Sequence, residues 1–132
     1  HLQRIQNSLA RVVTRSDYRQ HIKPMLQSLH WLPVKERIEF KLATLTFKSR
    51  CGLAPGYLSE LITDYHPTRE LRSCSLNLLN TPRVKTVLGA RAFSYAAPAI
   101  WNKLPADIKA AKTLNNFKTK LKTYYFRNAL TV

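Results

Sequence analysis

The chain has 132 residues, enough for one domain with a modest core, and its apolar content of 45% excludes a disordered tail. A net charge of +15 says little about fold but points to polyanionic partners, nucleic acid before an anionic membrane. No apolar run approaches the length of a membrane span and no signal peptide is visible; the chain opens on His1, not methionine, as an excerpt of a longer protein would.

Leu2 to Thr14 is expected to form an amphipathic helix. Leu2, Ile5, Leu9, Val12 and Val13 fall on one stripe, and Arg4, Arg11 and Arg15 fall together on the far side. If the stripe is buried, the arginines point outward. Tyr18 to Lys23 reads as a connector. Pro24 opens a short helix, Met25 to Leu29, and the corner His30-Trp31-Leu32 follows, with Trp31 as a core plug.

The next helix, about 34–50, is read as the centre of the fold. Pro33 suits its first turn and Gly52 its stop. At 100° per residue, Val34, Ile38, Leu42 and Leu45 form one apolar stripe, and Phe40, Ala43 and Phe47 a second on roughly the opposite side. Two stripes predict a helix packed from both sides. Arg37, Lys41 and Lys48 line up in the gap, facing solvent or an anion.

Beyond Gly52, a tight turn leads into a short helix, Tyr57 to Ile62. Thr63 to Ser75 reads as a loop carrying Arg69 and Arg72. Leu76 to Leu79 and Val84 to Leu88 can pair as a short β-hairpin around Thr81-Pro82. Gly89 punctuates. Arg91 to Lys103 is then expected to be helical and bent at Pro98, with Phe93, Ala97, Ile100 and Trp101 sharing one side. Ala106 to Ala111 makes a short helical turn. Thr113 is the N-cap of a last helix, Leu114 to Asn128. Its stripe is Leu114, Phe117, Leu121, Tyr124 and Tyr125. Lys118 and Lys122 flank one side, Lys120 and Arg127 the other, and Phe126 points away.

The charge imbalance grows toward the end: from Leu71 on there are eleven Lys/Arg and one acid, Asp107. Cys51 and Cys74 lack metal-ligand spacing and read as free thiols, with no metal and no cofactor expected. The four histidines are scattered. No paired carboxylates, activated nucleophile or glycine-rich phosphate loop is present, so no complete active site is expected. Binding is better supported. Lys and Arg that neutralise phosphates release counterions and give sequence-independent affinity. The candidates are Arg4, Arg11, Arg15, Arg37, Lys41, Lys48, Lys118 and Lys122, with Tyr18, Tyr65 and Phe126 as aromatics able to stack on bases. Apolar stripes on every helix suit mutual packing better than bilayer contact, so no membrane partner is expected.

Several strings add to this reading: LQRIQN at 2–7 with the following Ala10-Arg11-Val12-Val13, LHWLPVKERIEFKL at 29–42, GLAPGYL at 52–58, RAFSYAAPAIWNKLP at 91–105 and FKTKLK at 117–122. In these strings, and in their order, the chain resembles the C-terminal end of reverse transcriptases from non-LTR retrotransposons (LINE elements) of the jockey-like kind. Ser8-Leu9 departs from the small-residue pair expected there. The family's metal-binding palm aspartates lie upstream of the matched region, and no position here corresponds to them. The resemblance implies a thumb-like first helix (1–15) and a compact helical core (24–132), together one helical C-terminal region. It implies partners in RNA, RNA–DNA hybrid or DNA, and in the upstream polymerase domain of the same polypeptide. It implies a role in holding template and primer during target-primed reverse transcription, in the nucleus and cytoplasm. The alternative is a domesticated helical protein-interaction module without polymerase activity.

Overall fold

Local stop and start signals set the helix ends. The structure, a computed structural model, describes residues 1–67 and 77–130. It is mostly helical: α1 (Leu2–Thr14), α2 (Ile22–Ser28), α3 (Val34–Arg50), α4 (Gly56–Ser59), α5 (Phe93–Lys103), α6 (Ala106–Lys109) and α7 (Leu114–Leu130), with a 3-10 turn at Gly89–Arg91 before α5. Pro24 sits in the first turn of α2, where its missing N–H costs nothing. Gly52 closes α3 at φ 67°, with Leu53 N–H on Lys48 O at 2.8 Å. Thr113 caps α7, its hydroxyl accepting Asn116 N–H at 3.3 Å. The expected Arg69, Arg72 and Cys74 lie outside the described residues.

The chain divides into two compact units: His1–Phe40 with Leu121–Val132, and Lys41–Lys120. The boundaries fall within α3 and α7, and α1 shares the first unit with α2.

In the first unit, Ala10, Leu26 and Leu130 form the buried cluster, with Trp31, Phe126 and Ile22 packed against it. The orientation of α1 corrects the expectation from periodicity. Leu2, Ile5, Leu9, Val12 and Val13 are all more than half exposed, and the only fully buried residue of α1 is Ala10. The face turned inward is polar. Gln3 Oε1 accepts the Val34 N–H at 2.8 Å, Gln6 Nε2 donates to Leu32 O at 2.8 Å, and Gln3 Nε2 donates to Asn7 Oδ1 at 2.8 Å. The first of these bonds occupies an N–H at the start of α3, which has no partner within that helix. A leucine could not do so. The small Ala10 completes the face by packing in the cluster of Leu26 and Leu130.

In the second unit, Phe47 stacks on Phe117 with centroids 4.5 Å apart, and Trp101 stacks on Phe117 at 5.8 Å. Ala43, Leu79, Ala97, Leu104 and Ile108 are buried with them. Trp101 Nε1 donates to Asn77 O at 2.9 Å, so the indole is buried without an orphaned N–H. Pro98 lies inside α5 and the helix runs through it.

Two further expectations are corrected. First, α3 is not packed on both stripes. Ala43 and Phe47 are buried together with Thr44, Thr46 and Ser49, but Ile38 is 52% and Leu45 38% exposed. A threonine hydroxyl can return to its own helix, as Thr46 Oγ1 does to Leu42 O at 2.8 Å, and that bond satisfies the buried Thr46 hydroxyl. Second, no hairpin forms near 76–88 among the described residues. Leu79 makes a single antiparallel bridge with Asp64. Asn102 then takes both backbone groups of Leu79: its Oδ1 accepts the N–H and its Nδ2 donates to the carbonyl, each at 2.8 Å. With those groups occupied, Val84 to Leu88 has no ladder to join, and Val87 and Leu88 stay 77% and 80% exposed.

Candidate nucleic-acid interface

Helix α2 ends in a Schellman motif. Trp31 N–H reaches back to Leu26 O at 2.8 Å and His30 N–H to Gln27 O at 3.1 Å. The motif requires a left-handed residue between them, a position glycine usually fills. Here it is His30, at φ 54°. In the same unit, the imidazole lies with its centroid 6.2 Å from that of Phe126 on α7, tilted 53°. Lys122, one turn earlier on α7, holds its Nζ 5.6 Å from the Phe126 centroid.

These side chains, with Arg127, Gln27 and Thr123, line an open groove of about 480 Å³. Phe126 is half-buried: part of it packs against the first unit's core and the remainder lines the groove. His30, Lys122 and Arg127 are exposed. The groove thus joins an aromatic ring, an imidazole and two basic side chains. Cations meet phosphate oxygens, and rings offer a stacking surface worth roughly 1–3 kcal/mol per base.

The remaining candidates do not converge in this way. Arg4 and Arg15 are exposed, and Arg15 closes α1 in the left-handed region at φ 48°. Arg11 is half-buried, its guanidinium 5.1 Å from the Tyr18 centroid and its Nη2 donating to Gln20 O at 3.3 Å; its Nε is buried without a partner. Arg37 and Lys41 are exposed and Lys48 is half-buried on α3, and Lys118 is half-buried on α7. Tyr18 is 83% and Tyr65 43% exposed. Sequence reasoning did not single out His30, and it placed Arg127 across the stripe from Lys122. Lys122, Thr123, Phe126 and Arg127 do share one face at 100° per residue. That His30 joins them is tertiary.

Among the described residues, no group of three or more His, Cys, Asp or Glu is placed to hold a metal ion, and Cys51 is an exposed free thiol. Among the same residues, no helix is long and apolar enough to cross a membrane. In comparisons with known proteins, no family model, no curated protein and no solved structure matches the chain.

Proposed function

We propose that the chain is a non-catalytic, basic nucleic-acid-binding C-terminal region of a LINE-type reverse transcriptase. It positions RNA template and DNA primer in target-primed reverse transcription, within an RNA-directed DNA polymerase whose catalytic carboxylates lie elsewhere. The observation that carries the binding is the groove of His30, Lys122, Phe126 and Arg127. A net charge of +15 supplies the long-range attraction. The parentage rests on the resemblance of the strings at 2–13, 29–42, 52–58, 91–105 and 117–122.

The alternative, a domesticated protein-interaction module, draws on a different observation. The exposed stripe Leu2, Ile5, Leu9, Val12 and Val13 has the spacing of a helix–helix seam. In the polymerase reading, the same stripe is available to the upstream polymerase domain.

The test is affinity for single-stranded RNA and RNA–DNA hybrid over a salt series. Lys122→Gln with Arg127→Gln is expected to shrink the log–log salt slope by roughly 0.7–0.9 for each phosphate no longer neutralised. Phe126→Leu is expected to weaken RNA binding and leave the slope unchanged. Unchanged slope and affinity in all these variants would remove the groove from the binding surface.

A further inference from the structure

On α1, Leu2, Ile5, Leu9 and Val12 follow one another at steps of three, four and three residues, and each is more than half exposed. That alternation is the a/d spacing of a helix–helix seam, here two heptads long. Val13, 57% exposed, widens the seam on the side of Gln6. The seam cannot roll inward, because Gln3 on Val34 N–H and Gln6 on Leu32 O fix the polar face of α1 to its unit. Aliphatic surface held out of the core in this way leaves water only when another molecule covers it.

The flank of the seam away from Gln3 and Gln6 is basic. Arg4, Arg11 and Arg15 lie within about 40° of one another around the axis, and α1 contains no acid. Arg11 is partly engaged by Tyr18 and Gln20 O, but Arg4 and Arg15 are exposed, roughly 16 Å apart along the axis at 1.5 Å per residue. Among the described residues neither makes an ion pair; the two ion pairs are Arg50–Asp64 and Lys120–Asp107. A second copy does not complement this surface. It would set the same arginines against these, on a unit with nine Lys/Arg and three acids. A bilayer matches poorly too: the stripe holds no Trp or Phe, and the polar face is bonded to the protein rather than solvated.

We propose that α1 docks an amphipathic helix of a separate protein. Its apolar a/d stripe fills the seam, and acidic side chains about three turns apart on one flank face Arg4 and Arg15. The chain's own helices do not supply such a face: among the described residues none carries more than the two acids of α3, Glu36 and Glu39. The inference rests on the reading of the stripe as a protein-interaction surface and adds the partner's chemistry. It is independent of the groove beside His30, which no residue of α1 lines.

The test uses the whole chain and two synthetic peptides of about three heptads with leucine at a and d. One carries glutamate on both flanks and the other lysine at the same positions, so like charges keep each from pairing with itself. Fluorescence anisotropy is expected to show saturable binding of the glutamate peptide, roughly tenfold or more tighter than the lysine peptide. Ile5→Ser with Leu9→Ser is expected to weaken that binding roughly tenfold or more and to leave RNA affinity unchanged. Arg4→Glu with Arg15→Glu is expected to reverse the order of the two peptides. Circular dichroism checks that each variant is folded; should the serine variant fail there, the charge-reversed variant decides. A glutamate preference that survives in both variants is attraction by the overall charge and overturns the proposal. Equal binding of the two peptides overturns the acidic partner but keeps the stripe as a helix-docking surface; binding of neither overturns both. A dimer of the chain alone that the serine variant loses, measured by sedimentation, assigns the stripe to a second copy and overturns the proposal. So does co-sedimentation with phosphatidylserine vesicles, lost in the serine variant, without peptide binding.

Discussion

The side-chain oxygen of Gln3 accepts the backbone N–H of Val34 at 2.8 Å, so a glutamine of α1 caps the start of α3. Together with Gln6 on Leu32 O, it holds the polar face of α1 inward and leaves the aliphatic stripe outside. Gln3→Ala is expected to destabilise the chain by about 1 kcal/mol, as loss of a cap does. Leu9→Ser is expected to stay within about 0.5 kcal/mol, because Leu9 is 52% exposed. Urea melts of both variants check the pair. A larger loss from Leu9→Ser than from Gln3→Ala would mean the stripe is covered.

On α3 the contrast runs between two faces. Phe47, 4% exposed and stacked on Phe117, is expected to cost about 3–5 kcal/mol on truncation to alanine. Ile38, 52% exposed, is expected to cost less than about 1 kcal/mol. Equal losses in denaturant melts would restore a helix buried on both stripes.

His30 occupies a left-handed position that glycine fills without strain. His30→Gly is expected to stabilise the chain by up to about 1 kcal/mol while weakening RNA binding. A thermal melt and an RNA titration on the same variant read the two effects. Loss of stability without loss of affinity would assign the histidine to packing alone.

Two buried groups set the alkaline stability profile, with opposite signs. The folded chain holds the Lys109 proton less tightly than the unfolded chain, whose lysine titrates near 10.5. The unfolded state therefore binds more protons below that value, and this group makes stability rise with pH toward it. Tyr125 is shifted above its ordinary 10.0, by burial first and then by the charge of Glu39, to which it hydrogen-bonds. There the folded state keeps the proton longer, so its stability is present below about pH 10 and is lost above. Melts across this range are expected to flatten on the rising side in Lys109→Met and on the falling side in Tyr125→Phe. A profile unchanged in both would contradict these assignments.

Local chemistry made the helices legible. Pro33, Gly52 and Thr113 act on the backbone beside them, and the end of α3 and the start of α7 fall where those residues place them. The α7 stripe was legible too: Phe117, Leu121 and Tyr125 are buried. The His30–Phe126 groove was half legible, since Lys122, Phe126 and Arg127 share a face while His30 is far away in sequence. Periodicity established that α1 has two unlike faces, but tertiary structure decided which one turns inward. An unpaired N–H at Val34 and the carbonyl of Leu32 needed side-chain partners, and Gln3 and Gln6 supplied them. The same holds for Leu79, whose strand pattern yielded to the Asn102 amide. Apolar spacing carries no record of distant backbone groups left without a partner, and satisfying those groups chose among faces and pairings that the pattern alone left equivalent.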